Sequence, residues 1–337
     1  MQMKKNLSIL LSLILSIALI WILLSQIKFE EFVQTFTRIY LPGLFAFFII
    51  ALLGATLRAW RYKLLLQPQR ISWGNIFIVT FIRNLFVDLF PARIGSLSYI
   101  YVLNKSLKYS FESAASSFVV AFVLDFLTLS PFLVLSILAV GLGATSLSNM
   151  TLLVFSLAFF IILFFVFWRL IQIANILLHF YQQLLKLFKQ ERRKWAETSV
   201  KKIHLTIDDL ARIRKRKIDW PLFILSLGIR LAKYLSLYFL LFSLLRSHGF
   251  LLADLSFSKT ILGITGAEMS SALPIKGIGG FGTWESVWAL TLMLLGFEKR
   301  MAILSSSIHL ITNSFEYILG IASILILSVV HKKIKNY

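Results

Sequence analysis

The sequence predicts an all-α, polytopic membrane helix bundle. Three observations carry this reading: 58% of the 337 residues are hydrophobic, only 15% are charged, and several apolar runs approach twenty residues. Runs of that length match a hydrocarbon core of about 30 Å at about 1.5 Å of rise per helical residue. A membrane β-barrel would instead alternate apolar and polar residues over strands of about ten. Leu7 to Leu24 and Thr151 to Trp168 are apolar on all sides, which only helices accommodate.

The elements follow from where the charges fall. Lys4 and Lys5 precede the first run, which is longer than a signal-peptide core and lacks a small-x-small cleavage site, so it reads as a retained span over Leu7 to Gln26. The loop beyond it, with Lys28, Glu30, Glu31 and Arg38, is nearly neutral. A second span, Leu41 to Leu57, returns to Arg58, Arg61, Lys63 and Arg70, so the positive-inside rule places both amino-terminal Lys residues and this cluster on the cytoplasmic side. Phe111 to Val140 then crosses outward, and Thr151 to Trp168 crosses back. Between Arg169 and Asp219 thirteen Lys or Arg stand against five Asp or Glu, which marks residues 171–219 as a basic cytoplasmic linker of one or two amphipathic helices on the inner leaflet. Pro221 to Leu245 crosses outward, and Ala302 to Val330 returns to Lys332, Lys333 and Lys335. The whole chain, 1–337, reads as one integral membrane domain with both termini cytoplasmic.

Two further segments are apolar but broken. Trp73 to Phe90 carries Arg83 and Asp88, then meets Pro91-Ala92-Arg93-Ile94-Gly95, and basic residues flank it on both sides. Thr260 to Leu295 contains Leu273-Pro274-Ile275-Lys276-Gly277-Ile278-Gly279-Gly280-Phe281-Gly282-Thr283-Trp284-Glu285 and has few basic flanking residues before Lys299 and Arg300. Each reads as a re-entrant hairpin, the first from inside and the second from outside, giving about six full spans plus two opposed hairpins. Opposed hairpins are what an inverted internal repeat produces, and paired breaks in corresponding positions point to a transporter site.

The formal charge of +20 belongs to this topology and to anionic inner-leaflet headgroups rather than to nucleic acid, for which no motif is present. The chain has no cysteine, so it offers neither a disulfide nor a thiol nucleophile. No P-loop or G-x-S-x-G motif occurs, and no metal, cofactor or catalytic residue is expected.

Function is sought among residues that are expensive to bury. A charge at the bilayer centre costs at least about 2.5 kcal/mol, so such residues are paired or bind a polar ligand. Glycine-rich backbone beside a basic residue, where a broken helix restarts, favours a phosphate. The substrate-binding set is therefore Arg93 and Gly95 in the first break, and Pro274, Lys276, Gly277, Gly279, Gly280, Gly282 and Glu285 in the second. Secondary candidates are Arg83, Asp88, Asp125, Arg230, Lys233, Glu268, His309 and Glu316. Asp125 and Glu268 are open to a proton-relay or a structural ion-pair reading. His309, Asn313 and Glu316 share one helical face, as a cavity-lining seam or an interhelical hydrogen-bond cluster. Arg58 and Arg61, beside Trp60 at a helix end, read as snorkelling interfacial anchors.

Leu273-Pro274 through Gly282 and Glu285, with Arg58-Ala59-Trp60-Arg61 and Pro91 to Gly95, resemble the flippase-like membrane domain of bacterial lysylphosphatidylglycerol synthases over most of the chain. The resemblance implies a multi-spanning bundle of a bacterial-type plasma membrane that moves, or helps present, an anionic or aminoacylated phospholipid or a lipid-linked sugar. Larger members add a cytosolic aminoacyl-transferase domain that makes the lipid. The chain ends soon after Val330, so lipid synthesis is not expected. Three positions depart from the family pattern: Ser96 replaces an acidic residue, Ala121-Phe122 a Glu-Arg pair, and His309 an Arg. A different headgroup or a scaffold role accommodates those losses. The leading expectation is lipid translocation with no covalent step. A non-transporting partner of a lipid-modifying enzyme, docking through Lys186 to Lys217, and a membrane enzyme acting on a lipid-linked substrate through Asp88, Glu268 and Glu285 are the alternatives.

Overall fold

The computed structural model describes residues 14, 16–141, 147–270 and 277–335. Among them no strand occurs, and the helices are α1 (16–24), α2 (Phe29–Thr37), α3 (Leu41–Leu65), α4 (Trp73–Leu89), α5 (Ser98–Tyr101), α6 (Phe111–Leu127), α7 (Leu129–Gly141), α8 (Leu147–Trp168), α9 (Leu170–Leu187), α10 (Lys194–Lys215), α11 (Asp219–Leu245), α12 (Phe257–Ser270), α13 (Thr283–Leu294), α14 (Lys299–Ser305) and α15 (Ile308–Lys335). Local sequence sets several starts. Ser72 and Ser110 accept the backbone N–H of Asn75 and Ser113, each at 3.2 Å, capping α4 and α6, and Pro42 sits in the first turn of α3, where its missing N–H costs nothing.

The frame is a long antiparallel pair. Tyr40 donates its N–H to the Ser243 carbonyl at 3.0 Å at one end of α3 and α11, and Arg61 meets Ser226 at 2.9 Å at the other. Between these ends Gly54 faces Ala232 and Gly228 faces Leu57, so small residues let the two helices approach closely.

Both broken segments fold back as hairpins, and they enter at opposite ends of this pair. Tyr109 donates to the Arg70 carbonyl at 2.7 Å and Gln69 to Ser110 at 3.4 Å, so the chain leaves the first hairpin where it entered. That end also holds Arg216, which donates to the Leu64 carbonyl and to the Gln67 carbonyl. In the second hairpin Gly263 packs on Trp288 and Leu292, Gly266 on Thr291, and Gly296 lies beside Lys259. The packing is exchanged between halves: α4 lies against α15, and α12 against α7.

Four stretches are long and apolar enough to cross a membrane: Leu41–Leu65, Phe111–Val140, Asp219–His248 and Lys299–Val329. These correspond to four of the six expected spans. α8 and α9 reach the length and apolarity of a span only when taken together, and they are bent by 78° at their junction. The amino-terminal run is described only from its second half. The second span differs from expectation in length, since α3 runs on to Leu65 and takes Arg58 and Arg61 inside the bundle. The linker expected over 171–219 forms α9 and α10, with α10 docked on α6 through Asp209, which accepts from Ser113 and Ser116.

Two apolar cores divide the interior. One gathers Phe47 of α3 with Leu240, Leu244, Trp288 and Leu304; the other gathers Tyr62 and Leu65 with Ile76, Tyr99 and Leu124. Between them, where α3 presents Gly54 to Arg58 and α11 presents Ser226 to Leu237, the packing opens into a polar cavity.

Candidate functional site

The cavity holds about 200 Å³ and is lined by charged side chains from both halves: Arg58 from α3; Arg83 and Asp88 from α4; Arg93 from the first break; Asp125 from α6; Arg230 and Lys233 from α11; Glu268 from α12; and His309 and Glu316 from α15. Arg230 lies eleven residues into α11, about 16 Å from its start, which is mid-depth for a span. Several sit next to core residues, Asp125 after Leu124, Glu268 after Ala267 and His309 after Ile308, so the apolar packing of their helices carries the charge to the cavity edge.

Two carboxylates organise the cations. Asp125 accepts from Arg61 Nη1 at 2.7 Å and has Arg58 at 3.6 Å and Arg83 at 3.8 Å. Arg61 is fully buried and also donates to Ser226. This corrects the snorkelling reading of Arg58 and Arg61: the helix continues past them, so they cannot reach an interface and find an acid instead. Glu268 holds Arg230 at 3.2 Å, Lys233 through its other oxygen, and Arg93 at 4.0 Å. Arg230 joins the two groups by donating to the Asp125 backbone carbonyl. Asp88 and Glu316 meet across the α4–α15 contact. Counting Arg61 behind the wall, six cations face four carboxylates.

Arg93 reaches the cavity by an unusual backbone. Ala92 and Arg93 have φ of 52° and 56°, a left-handed conformation that costs non-glycine residues energy and gathers at functional sites. Gly95 allows the break to fold tightly, since a Cβ there would sit 1.7 Å from the Phe86 carbonyl oxygen. The Arg93 guanidinium lies 5.8 Å from the Phe126 ring centroid.

The second break forms one side of the site. Gly279, Gly280 and Gly282 all have positive φ, at 63°, 81° and 83°. Their loop is pinned by α1 and by its own groups: Ile278 N–H donates to Ser16 at 2.8 Å, Gly280 N–H to the Gly277 carbonyl at 2.9 Å, and Gly282 N–H to Glu285 at 2.7 Å. Glu285 thereby caps α13 and accepts from His309 Nδ1 at 2.6 Å, while Asn313 donates to His309 Nε2 at 3.0 Å. His309 stacks on Trp284 with ring centroids 4.6 Å apart. The two readings of the His309 face coincide, because the hydrogen-bonded cluster is itself a wall of the cavity. Pro274 and Lys276 lie outside the described residues.

The sequence-derived residues thus sort by place. Arg83, Asp88, Arg93, Asp125, Arg230, Lys233, Glu268, His309 and Glu316 converge on the cavity, whereas Gly95, Gly277, Gly279, Gly280, Gly282 and Glu285 shape the two breaks beside it. Arg58 and Arg61 share the i, i+3 spacing of Arg230 and Lys233, and that repeated pattern is the signal that could have placed them inside. No group of three His, Cys, Asp or Glu side chains suited to a metal occurs among the described residues.

The family model for the lysylphosphatidylglycerol synthase TM region matches residues 9–320, spanning both hairpins and every cavity residue. The chain belongs to that family. No curated protein matches it. Membership of the lysylphosphatidylglycerol synthase TM region family, together with the apolar helices, makes this a membrane protein with a role tied to membrane lipid.

Proposed function

We propose that the protein translocates a phospholipid between leaflets, holding the lipid phosphate in the central cavity while the two hairpins alternate in exposing it. The observation that carries this reading is the excess of cations over carboxylates at mid-depth, in a space between two apolar cores. An anion entering that space gains charge-assisted hydrogen bonds from cations held between apolar walls.

The exposures divide the labour. Arg61 is fully buried, and Arg58, Arg83 and Arg230 are 18%, 11% and 11% exposed, so their acid partners largely occupy them. Arg93 and Lys233 are 30% and 40% exposed, so these two can turn from Glu268 to a ligand. Asp88 and Glu316, on another wall, suit the amine of an aminoacylated or zwitterionic headgroup. The opposed hairpins, the antiparallel α3–α11 pair and the exchanged α4–α15 and α12–α7 contacts support an inverted repeat, the architecture in which one half rocks against the other around a fixed site. Six full spans, with the basic end cytoplasmic and the protein in a bacterial plasma membrane, complete the reading. Movement of a lipid requires no bond to be made or broken, so the proposal assigns no catalytic residue.

The test is movement of headgroup-labelled phospholipid across liposomes containing the purified protein. Arg93→Gln and Lys233→Gln are each expected to slow movement about 10- to 100-fold, the equivalent of losing one charged hydrogen bond of about 1.5–3 kcal/mol, in protein that keeps the wild-type elution profile. Absence of movement by the wild type for every anionic, zwitterionic and aminoacylated lipid tried would sink this reading in favour of a non-transporting partner.

A further inference from the structure

We propose that α9 and α10 form a membrane-surface platform, with α9 lying in the plane of one leaflet and the basic residues around it engaging anionic lipid headgroups. This inference stands independently of whether the cavity moves lipid.

The side chains of α9 fall on three arcs. Leu178 and Leu185 are buried toward the protein. Asn175, His179, Gln183 and Lys186 share an exposed polar arc, along which Gln183 bonds to His179 at 2.9 Å. The third arc is apolar yet exposed: Ile176, Leu177, Phe180 and Leu187, with Phe188 just beyond, are each more than half exposed. An exposed apolar arc flanking a polar one is the mark of a helix lying at a membrane interface. Large apolar patches are avoided where water is the only neighbour.

Orientation supplies the second argument. The chain turns by 78° between α8 and α9, so if α8 crosses the bilayer, α9 runs nearly along its surface. Trp168 at the bend, Trp195 at the start of α10 and Trp220 at the start of α11 are 64%, 52% and 74% exposed, and tryptophan concentrates at the headgroup level. Charge supplies the third. Lys186, Lys189, Arg192, Arg193 and Lys194 follow one another where α9 turns into α10, interrupted by a single acid, Glu191. Each basic residue near an anionic leaflet contributes, and the attraction is screened within a Debye length.

The platform is tied to the bundle. Arg214 donates to the Phe167 carbonyl at 2.7 Å at the end of α8, Arg216 donates to carbonyls at the end of α3, and Lys202 lies over the Phe111 ring at the start of α6. Anionic lipid gathered by the platform therefore collects at the feet of three helices, next to the mouth of the first hairpin.

The absence of cysteine makes the test direct. Full-length protein carrying Phe180→Cys or Leu187→Cys on the apolar arc, or Asn175→Cys or His179→Cys on the polar arc, is labelled with a polarity-sensitive fluorophore. It is then reconstituted into phosphatidylcholine vesicles with or without phosphatidylglycerol. Labels at positions 180 and 187 are expected to be quenched by lipids bearing a nitroxide on the acyl chain and to resist aqueous iodide. Labels at 175 and 179 are expected to be quenched several-fold more by iodide. Phosphatidylglycerol should deepen the contrast, and high salt or the combined Lys186→Gln, Lys189→Gln and Lys194→Gln changes should reverse that gain. Equal iodide access at positions 179 and 180 in both vesicle types would overturn the proposal. Protection at 180 without acyl-chain quenching would also overturn it, and would point to a protein on this face.

Discussion

Asp125→Ala is expected to lower the unfolding midpoint more than any other single change in the cavity, with about 3–5 kcal/mol of stability lost. The substitution leaves Arg58, Arg61 and Arg83 without the carboxylate they share, and Arg61 has no exposure through which to hydrate. Removing one partner of a buried ion pair costs about 3–5 kcal/mol, against a total stability of about 5–15 kcal/mol. Intrinsic tryptophan fluorescence during thermal unfolding in detergent, with size exclusion to count aggregate, measures the loss. The cause is separable from lost packing. Adding Arg61→Met to Asp125→Ala removes the most buried of the stranded charges and should recover part of the loss, because an apolar residue of similar length tolerates the site better than an unpaired guanidinium. A wild-type unfolding midpoint for Asp125→Ala would show that the three arginines do not depend on this acid.

The other carboxylate offers a contrast. Glu268→Gln strips the same number of cations, but Arg93 and Lys233 are partly exposed and can rehydrate in the cavity. Its cost in stability should therefore be the smaller of the two in the same unfolding assay. The two acids differ not in how many cations they hold but in whether those cations have anywhere else to go.

Most of the architecture was legible because membrane helices obey simple rules. Charge alternation located four of the six expected spans and marked off the two broken segments, because a segment whose two flanks match in charge is expected to return to the side it left. Arg83, Asp88, Asp125, Arg230, Lys233 and Glu268 could be singled out for a related reason, that a charge amid apolar neighbours has to find a partner, and the structure brings them to one cavity. What the sequence concealed was pairing and depth. Arg58 and Arg61 looked interfacial because they follow an apolar run of a typical span length, whereas α3 continues to Leu65. Only the position of Asp125, sixty-four residues away from Arg61, shows why the helix can continue. The glycine motif concealed something else. Gly277 to Gly282 have the composition of an anion-binding turn, but Glu285, three residues on from Gly282, supplies the acceptor itself. An acid at the third position of a helix is a capping signal in sequence, and it is the reason the cavity cations, not the loop amides, carry the proposed site.

The two breaks carry the second large effect, at Gly95 and Gly277. A Cβ at Gly95 would lie 1.7 Å from the Phe86 carbonyl oxygen and 2.3 Å from its carbon; at Gly277 it would lie 1.9 Å from the Phe281 carbonyl oxygen and 2.4 Å from Ser16 Oγ. At both sites the nearest obstacle is backbone, which no rotamer change can clear, so Gly95→Ala and Gly277→Ala must open the turn. The expected cost is at least the about 1–3 kcal/mol of an overpacked core. Gly74 is the matched control, since nothing lies within 4 Å of its would-be Cβ and it occupies the first turn of α4. Gly74→Ala should be neutral or stabilising by up to about 1 kcal/mol through the unfolded chain. Opening the first turn has a further consequence, because the left-handed pair Ala92 and Arg93 is held between Pro91 and Gly95. Gly95→Ala should therefore displace the Arg93 guanidinium and reduce lipid movement even at temperatures where the protein is folded. Gly277→Ala, acting behind the His309 wall, should lower the unfolding midpoint with a smaller effect on movement. An unfolding midpoint for Gly95→Ala equal to that of Gly74→Ala would mean that the first hairpin does not close on Phe86, and the placement of Arg93 in the cavity would fall with it.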